Sequence, residues 1–136
     1  MNSAAVYVLI GVAVLVFTVV ITARKPAPLE PTRKAARVSY VIDGDTVVLE
    51  GADARLRLWG VDAPEKDEKG YLAARNALYR MVQGKRITFI ELDRDKYGRI
   101  VGRVFLKNGR EVNRMMIESG TAREYCRFSK GFYGTC

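Results

Sequence analysis

Three short segments concentrate acidic and basic side chains beside glycine or proline. They are Val41-Ile42-Asp43-Gly44-Asp45-Thr46-Val47, Arg57-Leu58-Trp59-Gly60-Val61-Asp62-Ala63-Pro64-Glu65 and Asp95-Lys96-Tyr97-Gly98-Arg99. In the first, two carboxylates flank a glycine in a turn, and Asp45 opens the strand that follows. In the second, a strand delivers Arg57 and the loop at its end delivers Asp62 and Glu65. Pro64 restricts Ala63 to extended conformations, which can fix the direction of its carbonyl. In the third, a turn leads to Arg99. Hydrolysis of a phosphodiester requires that charge on the phosphoryl oxygens be offset, that a water be oriented and partly deprotonated, and that the leaving oxygen be stabilised. Carboxylates and arginines gathered from these segments could meet all three needs. Taken singly, each segment also reads as an ordinary charged turn, where Asp and Gly are routine.

Composition narrows the chemistry. The chain has no histidine, which removes the commonest general base and the commonest nitrogen ligand of zinc. The two cysteines, Cys126 and Cys136, are too few for a zinc cluster. A metal here would therefore be a hard cation held by oxygen. The 23 Lys and Arg outnumber the 15 Asp and Glu, a net of +8, and every one of these charges lies from Arg24 onward. Such a balance draws a small domain to polyanions, either nucleic acid or anionic lipid, or simply makes a basic soluble surface.

The elements that must position these residues follow from periodicity. Arg37–Ile42 alternates Val38, Tyr40 and Ile42 against Arg37, Ser39 and Val41, a strand pattern. Asp43-Gly44 signals a hairpin turn, Thr46–Leu49 a second strand, Gly51-Ala52-Asp53 another turn, and Ala54–Trp59 a third strand with one basic face. Tyr71, Ala74, Leu78, Met81 and Val82 then recur at helical spacing, and Gly84 suits the position just past the helix end. Strands are expected at Arg86–Glu91 and Arg99–Leu106, with Asn108-Gly109 marking a tight turn and a short helix over Val112–Ser119. The expected fold is β-rich α+β: a five-stranded barrel of the OB type with two helices, a form that commonly binds oligonucleotides.

The three segments, as IDGDTV, RLxGVDAPE and DKYGR, closely resemble the staphylococcal (micrococcal) thermonuclease-like family, over roughly Ala36 to Tyr125. The resemblance implies a calcium-dependent endonuclease acting on DNA and RNA with little sequence preference and leaving 3′-phosphate ends. It implies that Asp45, Asp62 and the backbone carbonyl of Ala63 hold Ca2+, with Asp43 beside them. It makes Arg57 and Arg99 the phosphate clamp and Glu65 the residue that orients or deprotonates the attacking water. Lys96, Tyr97 and Tyr125 correspond to positions that contact the nucleotide. The family more often has Thr at Ala63; a carbonyl ligand survives that change but a hydroxyl contact does not. The loop after Glu65 is short, and the long C-terminal helix of the best-known members is missing. The alternative reading is a binding module of the same fold that has lost catalysis, or a basic domain held at anionic lipid.

Residues 1–23 carry no charge, and Ala4–Ala23 is long enough as a helix, about 30 Å, to span a bilayer. The sequence reading is a membrane anchor or signal segment over 1–23, a Pro-rich basic linker over 24–35 and one domain over 36–136. A cleaved signal fits less well, because no basic residue precedes the apolar run and no clean cleavage site follows it; cleavage would make the protein secreted. Basic residues after the helix favour a cytoplasmic domain. The hazard of a nuclease facing the cell's own nucleic acid favours an extracytoplasmic one, and that is the side expected here. Cys126 and Cys136 enclose nine residues and could be joined as a disulfide where the family's long helix would otherwise pack; two unrelated thiols are the alternative. The domain is expected to be a monomer.

Overall fold

The computed structural model describes residues 31–51 and 54–136. The proposed anchor over 1–23, most of the linker and part of the Gly51-Ala52-Asp53 turn lie outside them. Among the described residues no helix is long and apolar enough to cross a membrane.

Strands β1 (Lys34–Val41), β2 (Thr46–Leu49) and β3 (Arg55–Leu58) are followed by the short β4 (Val61–Asp62) and helix α1 (Tyr71–Val82). Next come β5 (Arg86–Arg94), β6 (Ile100–Phe105), α2 (Val112–Glu118), β7 (Arg123–Glu124) and α3 (Cys126–Ser129). Five strands close into a barrel in the order β1-β2-β3-β6-β5. Neighbours are antiparallel except β3 and β6, which pair in parallel with Leu56 opposite Ile100 and Leu58 opposite Gly102. The expected five-stranded barrel and both expected helices are present. Periodicity missed the β4–β7 pair and α3, which are too short for a repeating pattern to register.

The interior is filled by Val38, Val41, Val47, Leu56, Leu58, Ile87 and Val104 from the strands, with Ala74, Leu78 and Val82 of α1 and Met116 of α2 packed against them. Burying a Val, Leu or Ile side chain contributes about 1.5–3 kcal/mol, so alternate residues of each strand turn inward. On β1 the alternation breaks. The register with β2 shifts between Val38 and Tyr40, a bulge that places two residues of one strand against one of its partner. Tyr40 is thereby turned outward, 53 % exposed, and Val41 inward, fully buried. The simple two-residue period, which put Tyr40 on the face of Val38, is corrected by that bulge.

Beyond β7 the chain is tied down by side chains. Cys126 and Cys136 are joined in a disulfide, with Cα atoms 5.7 Å apart. Tyr133 is buried, its ring 6.0 Å from that of Trp59. Its hydroxyl donates at 2.6 Å to Glu111, which also takes two bonds from the Arg103 guanidinium, at 2.9 and 2.7 Å. The tail is thus pinned against Trp59 and Glu111 as well as closed on itself.

Candidate nucleic-acid groove and carboxylate site

Asp45 is the most buried acid of the three segments, only 4 % exposed. It sits at the first residue before β2, where the chain turns back from β1. Its Oδ1 accepts the Thr46 hydroxyl at 2.8 Å and an Arg57 Nη at 2.9 Å. Its Oδ2 has only a long contact, 3.4 Å, with the Ala63 N–H. The Asp43 carboxylate accepts the Asp45 backbone N–H at 3.0 Å, closing the turn. Burial pushes the Asp45 carboxyl up to about 6; Arg57 pulls it down, and the neighbouring Asp43 charge raises it further.

Gly44 shows why the first segment needs its glycine. A Cβ there would lie 2.6 Å from the Ala74 Cβ and 2.7 Å from the Ala63 Cβ. The residue is required for close approach of α1 and the Ala63 loop to the carboxylate turn, rather than for a left-handed backbone.

Arg57 extends from the middle of β3 and bridges two elements: one Nη reaches Asp45, the other the Val61 carbonyl at 3.4 Å. Arg99 follows the β5–β6 turn, which is built by the Asp95 carboxylate accepting the N–H groups of Tyr97 and Arg99 at 2.9 and 3.0 Å. Gly98, with φ of 78°, lets the chain reverse there. Asp95 also takes the Arg99 Nε at 2.6 Å, which leaves the two Nη groups directed elsewhere. Burial raises the Asp95 carboxyl, but the bonds from Arg99 and Tyr97 outweigh it and hold it below the usual range.

A groove of about 490 Å³ gathers five of the residues singled out in the sequence: Arg57, Lys96, Tyr97, Arg99 and Tyr125. Trp59 and Phe128 also line it, and sequence reasoning did not select them. Tyr97 is 72 % exposed, with the Lys96 Nζ 5.1 Å and the Arg99 guanidinium 5.6 Å from its ring centre. Tyr125 is brought in by the β4–β7 pairing: Val61 and Asp62 face Glu124 and Arg123, and the Tyr125 N–H donates to the Gly60 carbonyl at 2.8 Å. Buried Asn113 of α2 fixes the same end of β3, donating to the Trp59 and Gly102 carbonyls at 2.9 and 3.1 Å and accepting the Val104 N–H. Nothing in the sequence pattern marks Asn113; its role exists only once β3, β6 and α2 meet.

The remaining site residues are less tightly gathered. The Asp62 carboxylate is half-exposed and pairs with Arg123 at 3.1 Å. The contact between Ala63 and Asp45 runs through the Ala63 N–H. Glu65 lies on the exposed loop, its N–H donating to the Glu68 carboxylate and its carbonyl accepting the Glu68 N–H, both at 2.8 Å. Among the described residues no three or more acidic, histidine or cysteine side chains cluster to hold a metal. The donors available to a cation are the Asp45 and Asp62 carboxylates and main-chain carbonyls. These are hard oxygens, and the sparsely bonded Asp45 Oδ2 suits a hard divalent ion.

Comparison with known proteins gives this arrangement a context. The family described as staphylococcal nuclease homologue matches residues 55–134, from β3 through the tail, more than half of the chain. An uncharacterized endonuclease of Escherichia coli is 38 % identical over 95 residues, covering 68 % of this chain and 62 % of that protein. The succinoglycan biosynthesis protein ExoI of Rhizobium meliloti (strain 1021) is 41 % identical over 106 residues, 70 % of this chain and 54 % of that one. A probable staphylococcal-like nuclease of Oryza sativa subsp. japonica is 38 % identical over 76 residues, 56 % of this chain and 23 % of that one. The chain spans less than two thirds of the length of these relatives.

Proposed function

Given that the chain belongs to the staphylococcal nuclease homologue family, we propose that it is a calcium-dependent endonuclease that hydrolyses phosphodiester bonds of DNA and RNA with little sequence preference. The observation that carries this reading is the groove itself, where two arginines, a lysine and exposed aromatic rings share one surface beside the buried Asp45.

A strand laid in this groove meets Arg57, Lys96 and Arg99, which outnumber the lining acids Asp93 and Asp95, and flat aromatic faces, the two chemistries of a nucleotide chain. Arg57 and Arg99 hold the scissile phosphate; guanidinium forks suit this because they are always charged and bond two oxygens at once. Asp95 and Asp45 orient the two guanidinium groups by taking one N–H from each. Asp45, Asp62 and the Ala63 carbonyl would hold calcium, which when bound offsets charge on a phosphoryl oxygen. Glu65 accepts a proton from the attacking water as the new P–O bond forms and the bond to the leaving oxygen breaks, the leaving oxygen taking a proton from solvent. Lys96, Tyr97 and Tyr125 hold the nucleotide. The contacts read the phosphate and the faces of bases rather than their edges, which accounts for little sequence preference.

We place the domain outside the cytoplasm as a monomer, tethered through residues 1–23. The Cys126–Cys136 bond supports that side, because such bonds persist in oxidising compartments. A binding-only reading has one observation in its favour: no contact among the described residues ties the Glu65 carboxylate to the other site residues. The full chain, incubated with plasmid DNA, single-stranded DNA and RNA, should cut all three with calcium and stop when calcium is chelated. Undiminished cutting in chelator would overturn the metal assignment, and binding without cutting would favour the binding module.

A further inference from the structure

We propose that the β5–β6 ribbon carries a second polyanion site, a pocket at the end away from the groove that takes the phosphate backbone of a long nucleic-acid substrate; the inference rests on the nuclease reading above. The pocket, about 410 Å³, is lined by Lys85, Arg86, Leu106, Lys107 and Asn108. Three of these five residues are cations, and among the described residues no acid lines the pocket. Lys85, Arg86 and Lys107 are exposed, and none of them has a carboxylate partner among the described residues. Arg37 of β1 is the direct partner of Arg86 across the ladder, and like charges set opposite one another repel. An anion seated at Arg86 relieves that repulsion. The lining residues include no aromatic ring, so the pocket offers charge rather than a stacking face.

Groove and pocket share one surface. Ile87, Phe89 and Val104 fill the barrel interior, so alternation turns Arg86 of β5 and Arg103 and Phe105 of β6 outward, the side on which Val101 lines the groove. Asp93 in the groove and Arg86 in the pocket are seven residues apart on β5, about 24 Å of extended strand. Between them the Arg33 and Arg103 guanidinium groups lie 4.1 and 5.3 Å from the centre of the Phe105 ring. Arg103 is paired with Glu111, but Arg33 has no carboxylate partner among the described residues and keeps the route cationic. A nucleic-acid strand in a duplex advances about 3.4 Å per phosphate, so the two sites are about seven nucleotides apart. A tetramer held in the groove falls short of the pocket, whereas a chain of about 20 nucleotides reaches both.

The test uses the full chain, a fluorescein-labelled oligothymidylate of about 20 nucleotides and a labelled thymidylate tetramer. Affinities are read by fluorescence anisotropy on a Glu65→Gln background, so that bound substrate survives. Lys85 is left in place because its Nζ donates to the Arg80 carbonyl in the last turn of α1. For a single strand each phosphate contact contributes about −0.7 to the slope of log affinity against log salt. Arg86→Gln with Lys107→Gln should therefore flatten the slope for the oligothymidylate by about 1.4 and leave that of the tetramer unchanged. With Glu65 restored, KM for the oligothymidylate should rise roughly ten- to thirtyfold at about 0.1 M salt. Its kcat, and both constants for the tetramer, should stay within about twofold, because the tetramer needs only the groove. The charge-keeping pair Arg86→Lys with Lys107→Arg should match the parent. An unchanged slope for the oligothymidylate would overturn the inference, as would an equal loss for both substrates. If the Gln pair binds oligothymidylate like the parent but is retained less on phosphatidylglycerol vesicles, the pocket meets lipid headgroups and the inference fails too. If the chain with Glu65 intact cuts no nucleic acid, the nuclease reading fails instead, and the two salt slopes still decide whether the pocket holds a phosphate backbone.

Discussion

Arg57 and Arg99 carry the same charge but are held differently. Arg57 is tied at both Nη groups, to Asp45 and to the Val61 carbonyl, and so joins the carboxylate site to the groove. Arg99 is held by its Nε alone, a pairing that aims the guanidinium and keeps its fork available. Lysine has neither the planar fork nor a second point of attachment. Arg57→Lys and Arg99→Lys should therefore each lose about 3–4 kcal/mol of transition-state stabilisation, roughly a hundred- to thousand-fold in rate. Steady-state cleavage of the oligothymidylate measures this. Arg57→Lys should also lower stability, because buried Asp45 keeps a weaker partner, whereas Arg99→Lys at a half-exposed turn should leave the melting temperature nearly unchanged. Equal, near-normal turnover in both variants would reduce these arginines to strand decoration.

Among the elements, the turn between β1 and β2 shows how far sequence pattern reaches. Asp and Gly together signalled a turn correctly, but the reason for the glycine lay elsewhere in the chain. Ala63 and Ala74, 19 and 30 residues away, occupy the space a side chain would need. Strand and helix positions were legible because apolar residues recur with the period of the element, as Leu56 and Leu58 do on β3 and Ala74 and Leu78 on α1. The β1 bulge, the β4–β7 pair and the Asn113 bridge were not legible. Each depends on which partner a residue meets, and a period along the chain does not encode that. Of the candidate site, Arg57, Lys96, Tyr97, Arg99 and Tyr125 came together in one groove, which Trp59 at the end of β3 and Phe128 of the tail also line. Gly44→Ala tests the element scale directly. Two Cβ contacts below 3 Å force α1 or the Ala63 loop to shift, and overpacking of this kind costs about 1–3 kcal/mol. Urea unfolding should show that loss, and cleavage should fall as well, since Ala63 and Asp45 move with the turn. A variant as stable and active as the parent would mean that the α1 packing yields freely.

At the scale of the whole molecule, the tail is held by cross-links. A domain of about 100 residues has a thin stability margin, and closing a loop of this size by a disulfide contributes about 3 kcal/mol in the chain-entropy picture. The other cross-link is a hydrogen-bonded carboxylate, Glu124, and therefore pH-dependent. Burial raises the Glu124 carboxyl, but the bonds from Ser129, Tyr133 and Thr135 outweigh it and hold the group at about 2. The unfolded chain titrates the same group at about 4.3. A carboxyl depressed in the folded state adds stability above its unfolded value and loses it as pH falls toward its folded value. Glu124 thus stabilises the tail fully above about pH 5, and that contribution fades between pH 5 and pH 2. Thermal unfolding of the unsubstituted chain and of Glu124→Gln, followed across that range, isolates this group because every other carboxylate is common to both. The variant should melt lower at neutral pH, and the gap between the two curves should close as the pH drops to about 2. Because the same carboxylate holds the segment that carries Tyr125 and Phe128, the gap in melting temperature should be accompanied at neutral pH by a raised KM for oligothymidylate. A gap that stays constant from pH 7 to pH 2 would show that Glu124 acts through shape alone and that the tail is not held by its charge.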